Sequence, residues 1–369
     1  TQLYNLANTM RNPGLNQTQR YAIYQQLQGK NPDGTRNPAY PVLLDTDNLI
    51  EYMQVIFYSG DRDAPISNFL GNTSPNNWFG IRNRNGEEGF RFIVHDPEHS
   101  LSHGLTSRVG PFPAGDGNVL KSSPQWIHQM LMFSDEYRLR FADLARRNFY
   151  EMGADSGALT AAEALARFNA RTAEIDLAII GESARWGDAK REPAFTRNNW
   201  VSATNNTRNF FTSRAATVIN QLRSTTLYGG AGSAPLYPSL EAPQFNQYGG
   251  QVAPGFNLAI VSVSGGTFYY TPDRSDPRLV GGGIKPGALV YSGGVPINAT
   301  QVINARARVG TNWSALTTSQ FSVNSAANSS NLTISEINYN PAEPSAAELA
   351  INPAFTADSF EWIELRNIG

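Results

Sequence analysis

The chain has 369 residues, a length that usually divides into two or three domains. It carries 29 Lys and Arg against 31 Asp and Glu, with the basic residues scattered, so its charge predicts neither a nucleic-acid partner nor an anionic membrane. The absence of cysteine excludes disulfide scaffolds, thiolate zinc sites and cysteine nucleophiles, and no run approaches the roughly 18 apolar residues of a membrane span.

Apolar residues recur at helical spacing through about the first 228 residues. The acidic residues at 45–47 are well placed for the N-terminus of a first helix. Pro124 begins a second helical stretch, and Ser134 restarts it as an N-cap. Thr160 opens a third helix with a capping-box pattern, and a fourth covers 198–222. The first half is therefore predicted to be mainly helical.

Two short runs between the first and second helices have the alternating or aromatic character of strands. They cover 78–82 and 89–94 and are joined by Asn83-Arg84-Asn85-Gly86, in which Asn-Gly is a strong hairpin signal. The pattern predicts a small β ribbon among helices.

From Gly229 onward, Gly, Pro and Ser punctuate short β runs, which is typical of a small antiparallel sandwich. Residues 322–331 are mostly Asn, Ser and Ala and are predicted to be a linker, and strand patterns follow at 332–339 and 360–365. The fold class is thus α+β and multidomain. The predicted domains are a mainly helical one at 1–228, a β-sandwich at 229–324, and a linker with a truncated β module at 325–369.

The candidate chemistry lies around Asp63. Phosphoryl transfer from a nucleotide needs a carboxylate that orients or deprotonates the acceptor hydroxyl, and oxygen ligands that hold Mg²⁺. Protein kinases arrange these as Asp, four residues, Asn, then a β ribbon and a metal-binding Asp. Asp63, Asn68 and Asp96 follow that order, with the predicted hairpin before Asp96. The Asp-Asn interval also occurs by chance, and Asp96 can equally be a turn residue, so spacing alone leaves both interpretations open.

The histidines offer an alternative. His95, His99 and His103 fall close to Asp96 and Glu98, a composition that also suits a zinc or iron site for hydrolysis or oxidation. The other interpretation is that the histidines form hydrogen bonds around the strand end and orient Asp96. The helical His-Glu-x-x-His pattern is absent and a proline interrupts the segment, which favours the structural role.

Several motifs, in order along the first 228 residues, resemble the core motifs of kinases of the spore-coat-protein-H (CotH) family. They lie at 48–53, 63–65, 76–84, 89–92, 95–99 and 178–188. The resemblance implies an atypical kinase fold in which Asp63 is the catalytic aspartate and Asp96 binds the metal. It implies ATP as phosphate donor, Mg²⁺ or Mn²⁺ as cofactor, and a Ser or Thr of a partner protein as acceptor.

The second metal ligand is expected to be Asn68, with Asn77 as its alternate. Asn68 stands at the kinase interval, whereas many relatives place the asparagine directly before the tryptophan, as Asn77 stands here; Glu98 is a further alternate. Kinases have a glycine-rich loop and a nucleotide-binding lysine N-terminal to the catalytic aspartate. The only lysine ahead of Asp63 here is Lys30, which is not in a strand pattern. The N-terminal lobe is therefore expected outside this chain, so the chain alone is expected to show little ATP turnover.

The second half carries two further resemblances. Residues 266–278, with 305–307 and 313–316, resemble the Ig-like, fibronectin-III-associated module at the C-terminus of chitobiases, and 332–341 with 361–365 resemble the start of a lamin-tail domain. With 32 Gly, 22 Pro and 16 % charged residues, these imply a secreted or surface-attached bacterial protein. A noncatalytic adhesion protein that contacts cell-surface or matrix components, with a relic kinase-like domain, is the alternative to the enzyme.

Overall fold

Helices occupy most of the chain up to residue 223 and strands most of the rest. The computed structural model describes residues 1–83, 86–112, 123–189, 191–261, 265–323 and 327–368. The fold mixes α-helices with small β-sheets, which confirms the predicted class at this level. Two compact units are present, Thr1–Ser322 and Val323–Gly369. The predicted division between 228 and 229 stays a prediction, because both halves lie in the first unit.

The first unit contains seven α-helices in its described ranges. They are α1 (Gln2–Thr9), α2 (Gln17–Leu27), α3 (Thr46–Ser59), α4 (Pro124–Leu131), α5 (Asp135–Phe149), α6 (Ala161–Trp186) and α7 (Arg197–Arg223). The four predicted helical stretches are confirmed as α3, α4 with α5, α6 and α7. Helices α1 and α2 were missed, although Asn16 and Gln19 form a capping box at the start of α2 that the sequence displays.

Helix α3 is the central element of the helical part. Asp45 caps it by accepting the N–H of Asn48 at 3.0 Å. Leu49, Met53 and Ile56 are completely buried on its apolar face. Gly60, at φ 63°, ends the helix in the left-handed conformation that glycine adopts at low cost. Of the caps predicted later in the chain, the Ser134 hydroxyl accepts no capping hydrogen bond, whereas the Thr160 hydroxyl accepts the N–H of Glu163 at 3.3 Å.

The strands form one six-stranded sheet and several two-stranded ones. The larger sheet has the order β4-β12-β10-β7-β8, with β11 paired to β10, and the small sheets are β1-β2, β3-β6 and β5-β9. The bounds are β1 (Trp78–Ile81), β2 (Arg91–Val94), β3 (Gln244–Phe245), β4 (Gly250–Val252), β5 (Phe256–Leu258), β6 (Ile260–Val261), β7 (Thr267–Thr271), β8 (Leu289–Val290), β9 (Val295–Ile297), β10 (Gln301–Val309), β11 (Asn312–Trp313) and β12 (Thr317–Val323).

The predicted ribbon is confirmed as the antiparallel pair β1-β2, with Trp78 opposite Val94. Arg84 and Asn85 in its predicted turn lie outside the described residues, as do 324–326 of the predicted linker.

In the second unit, β13 (Leu332–Asn338) pairs antiparallel with β14 (Trp362–Asn367), and the short α8 (Ala346–Ile351) lies between them in sequence. A bulge interrupts the pairing between Ile334 and Glu336. Ser345 and Glu348 form a capping box at the start of α8. Both predicted strands of this unit are therefore present.

A buried arginine joins the large sheet to the helices. Arg306 of β10 is 1 % exposed, and its guanidinium binds Asp143 of α5 in a bidentate pair at 2.7 and 2.8 Å. Asp276 accepts two more hydrogen bonds and the Ser314 carbonyl a fifth, so all five N–H groups are used. Burial by itself would lower the pKa of Arg306, and the two carboxylates outweigh it and raise that pKa.

We expect Asp143→Ala to lower the free energy of unfolding by about 3–5 kcal/mol, because it leaves the Arg306 charge buried with one partner fewer. Asp176→Ala is the matched control, since Asp176 pairs with Arg197 at the surface and its loss should cost less than about 1 kcal/mol. Urea unfolding of both variants measures the difference. Equal losses would show that the Arg306 pair does not anchor the sheet.

Candidate active site

The ribbon is fixed to the N-terminal half of α3 by one amide side chain. Asn48 accepts the N–H of Phe92 at 2.6 Å and donates to the Phe92 carbonyl at 3.3 Å, as a neighbouring strand would. Asp45 accepts a hydrogen bond from Nε of Arg91 at 2.8 Å. The start of α3 and its cap therefore hold β2 in place.

The C-terminal end of α3 leads directly into the predicted catalytic loop. Asp61 is completely buried there, and its Oδ1 accepts the N–H groups of Asp63 at 2.9 Å and Ala64 at 3.1 Å. These two bonds fix the backbone at Asp63. Burial raises the pKa of Asp61, since its Oδ2 has no hydrogen-bond partner in the described part of the chain.

The segment after β2 is attached to the same loop. The Arg62 N–H donates to the His99 carbonyl at 3.2 Å, and the Leu101 N–H donates to the Ser59 carbonyl at 2.8 Å. These main-chain bonds hold residues 95–101 beside residues 59–62. Asp96, in the first of these segments, is thereby brought next to Asp63.

Three side-chain donors surround the Asp63 carboxylate. Ser67 donates its hydroxyl to Oδ1, and Asn76 and Asn77 each donate from Nδ2 to Oδ2 at 3.0 Å. Asn77 Nδ2 also donates to the main-chain oxygen of Asp96 at 3.4 Å. We refer to Asp61, Asp63, Asn76, Asn77 and Asp96 as the acid–amide cluster. Asn77 is the residue that connects the two predicted aspartates.

Two residues of the acid–amide cluster have unusual backbone conformations. Asn77 has φ 46° and Asp96 has φ 48°, and they flank the paired residues Trp78 and Val94 at one end of the ribbon. Asn and Asp tolerate this left-handed region better than other side chains. Backbone outliers of this kind concentrate at functional sites, so their position beside Asp63 supports a functional role for this end of the ribbon.

The free oxygens of the acid–amide cluster suit a hard divalent cation. The Asp96 carboxylate is exposed and accepts no hydrogen bond from the described residues. Asn77 uses Nδ2 for its hydrogen bonds, which leaves the amide oxygen available as a ligand. Carboxylate and amide oxygens are ligands that Mg²⁺ and Mn²⁺ accept. The residues present therefore fit the metal that the sequence predicts.

The other predicted ligands lie to the side of this arrangement. Asn68 is exposed and its Oδ1 accepts a hydrogen bond from Asn72 at 3.4 Å, while its N–H donates to the Arg62 carbonyl at 2.7 Å. Glu98 is exposed and lies 3.5 Å from Nε2 of His99. The structure brings Asp63, Asn77 and Asp96 together and does not bring the Asn68 side chain to them.

The three histidines have separate surroundings. The His95 ring packs on Phe79 at a centroid distance of 4.5 Å, and the His99 ring packs on Phe69 at 4.6 Å. His103 lines a cavity together with Arg62 and Arg108. Within the residues that the structure describes, no three His, Asp or Glu side chains are grouped as metal ligands.

Two members of the acid–amide cluster were not predicted. Asp61 directly follows the glycine that ends α3, a position where Asp commonly accepts backbone N–H groups, so the sequence did carry a signal for it. Asn76 and Asp63 are thirteen residues apart in sequence, and no local sequence pattern predicts their contact.

The chain matches no model of a known protein family and no curated protein. None of the helices in the described ranges combines the length and apolarity that crossing a membrane demands. The function is therefore inferred from the geometry of the acid–amide cluster.

Asp61 makes stability depend on pH. The pKa of Asp61 in the folded protein lies above its ordinary value of 3.8, so the folded protein binds this proton more tightly than the unfolded chain does. The stability is therefore lost as pH rises from the unfolded-state pKa through the folded-state pKa. We expect Asp61→Asn to flatten this slope, whose limit for one proton is about 1.4 kcal/mol per pH unit, because the amide can still accept both N–H groups without ionising. Chemical unfolding between pH 4 and 7 provides the measurement, and an unchanged slope would contradict the assignment.

Binding of Mn²⁺ distinguishes the two asparagines. We expect Asn77→Ala to weaken Mn²⁺ binding by about ten-fold or more, because it removes an oxygen ligand and the amide that orients Asp63. Asn68→Ala is the control and should change the affinity little, since that side chain faces Asn72. Electron paramagnetic resonance titration of free Mn²⁺ measures both. A larger loss in the Asn68 variant would return the metal role to Asn68.

Proposed function

We propose that the protein is an atypical, CotH-like protein kinase that transfers a phosphoryl group from ATP to a Ser or Thr of a partner protein. The observation that carries the proposal is the link from the Asp63 carboxylate through Asn77 to Asp96 at the base of a two-stranded ribbon. A phosphotransferase needs a fixed carboxylate for the acceptor beside oxygen ligands for the metal, and this link supplies both.

Each residue of the acid–amide cluster has a role in this proposal. Asp63 orients the acceptor hydroxyl and takes its proton, with its own carboxylate held by Ser67 and the two asparagines. Asn77 and Asp96 hold the cation. When bound, Mg²⁺ or Mn²⁺ would offset the charge of the phosphates. Asp61 fixes the loop by its bonds to two backbone N–H groups and does not touch the reacting atoms.

The same proposal extends to the β-rich regions. The sheet centred on β10, with the pairs β3-β6 and β5-β9, supports an Ig-like sandwich of the chitobiase C-terminal type in the first unit. The β13-β14 pair supports the start of a lamin-tail-like module in the second. Such modules belong to secreted or surface-attached bacterial proteins, and we propose that location here.

Phosphoryl transfer by the chain extended upstream of Thr1, where the resemblance implies the nucleotide-gripping lobe, tests the proposal. We expect transfer of radiolabelled phosphate with Mg²⁺ or Mn²⁺ to a co-purified partner or to the protein itself. Asp96→Ala should abolish the transfer, because the cation that offsets the triphosphate charge loses a ligand. Asp63→Ala should slow it at least a hundred-fold while nucleotide binding persists.

The matched control is Asp358→Ala, since Asp358 is an exposed aspartate outside the kinase-like motifs, with no side-chain hydrogen bond in the described residues. It should label its substrate like the wild type. Equal labelling by wild type and Asp96→Ala would refute the mechanism. Absence of labelling from every variant and the wild type would favour the adhesion protein with a relic kinase-like domain.

A further inference from the structure

A polar cavity of about 410 Å³ opens beside the predicted catalytic loop. Arg62, which directly precedes Asp63, lines one side of it, together with Asn68 and Asn72. The rest of the described lining is His103, Thr106, Ser107, Arg108 and Phe112. The cavity therefore shares the loop of Asp63 without being part of the acid–amide cluster.

Arg108 is the buried cation of this cavity. Arg108 is only 3 % exposed. Its Nη1 donates to the side-chain oxygen of Asn72 at 2.8 Å, and its Nη2 donates to the Ile66 carbonyl. Its Nε is buried and has no hydrogen-bond partner in the described ranges. A guanidinium has five N–H donors, so three are left for another acceptor. The Phe112 ring covers the guanidinium at 4.8 Å and holds it in place.

The charge of the cavity is unbalanced. Within the described residues, Arg62 and Arg108 form no salt bridge and the lining contains no carboxylate. Asp61 and Asp63 act on Arg108 electrostatically from outside the cavity, and burial still lowers the pKa of Arg108 to about 10. A buried cation in this state gains from an anion that enters the cavity. His103, Thr106 and Ser107 add further donors around the same space.

We propose that this cavity binds the phosphoryl group of a phosphorylated side chain on a protein or peptide. A phosphomonoester carries close to two negative charges and three acceptor oxygens, which match two guanidinium groups and the neighbouring hydroxyls. A carboxylate would satisfy one guanidinium and leave the other unpaired. The proposal goes beyond the proposed function, because binding a phosphorylated residue requires no transfer of phosphate.

A peptide is favoured over a nucleotide as the carrier of the phosphate. Of the two rings in the described lining, that of Phe112 packs against Arg108 and is not free to stack on a base, and that of His103 is a single exposed imidazole at the rim. The exposed side chains of Asn68 and His103 form the rim and offer hydrogen bonds to an extended main chain. The occupant would thus place its neighbouring residues next to the Asp63 loop.

Isothermal titration of the chain with three probes tests this proposal. The probes are an acetylated, amidated Gly-phosphoserine-Gly peptide, its unphosphorylated form, and ATP without metal. We expect the phosphopeptide to bind and the unphosphorylated peptide not to bind. Arg62→Ala should weaken phosphopeptide binding at least ten-fold, because a charged hydrogen-bonding partner is lost. Arg62 is half-buried, and its guanidinium lies over the Phe69 ring at 5.1 Å from the ring centroid, so we expect the variant to keep the fold.

Arg191→Ala is the matched control, since that guanidinium lies over Phe195 at 4.7 Å, away from the cavity, and its loss should leave binding unchanged. Thermal unfolding checks that each variant is folded. Equal affinity of the phosphorylated and unphosphorylated peptides would overturn the proposal, and so would phosphopeptide binding that survives Arg62→Ala. Arg62-dependent binding of ATP alone would overturn the peptide as the carrier.

Discussion

The arrangement of the site depends on the hydrogen bonds of one buried guanidinium, that of Arg214. Arg214 extends from α7 and donates to the carbonyls of Tyr58 at 2.6 Å and Phe57, in the last turn of α3. It also donates to Gly104 at 2.5 Å and Thr106 at 2.8 Å. A cation at the C-terminal end of a helix meets carbonyls that have no partner within the helix. One side chain thus satisfies the end of α3 and fixes the segment that lines the cavity.

The consequences extend in two directions from this contact. Gly60 turns the chain immediately after α3, and a Cβ there would lie 3.2 Å from Nη2 of Arg214, so the turn and the arginine fit each other closely. Toward the loop, Asp61 then holds the backbone of Asp63. Toward the cavity, the chain passes from Thr106 to Arg108. The acid–amide cluster and the cationic cavity are therefore two sides of one loop system, with opposite charge.

Three of the buried arginines, Arg306, Arg214 and Arg108, differ in how their charge is satisfied. Arg306 has two carboxylate partners and all five donors satisfied, which is the arrangement of a structural anchor. Among the described residues, Arg214 has four carbonyl acceptors and no carboxylate partner, and burial lowers its pKa to about 10. Arg108 has the fewest acceptors and faces a cavity. This order distinguishes the arginines that serve the fold from the one available to a ligand.

The sequence by itself determined the elements that local signals specify. Helix α3 followed from an acidic N-cap and an apolar stripe, and the β1-β2 ribbon from alternation around Asn-Gly, because these patterns act over a few residues. The order Asp63, ribbon, Asp96 was visible for the same reason. Tertiary structure alone decided that Asn77, not Asn68, bonds to the Asp63 carboxylate, since fourteen residues of sequence separate that pair and only main-chain bonds between distant segments bring it together. It also decided the pairing of Arg214 with Tyr58 and of Arg306 with Asp143, each more than 150 residues apart in sequence, because side-chain pairing over such separations depends on how whole elements pack and on no local pattern.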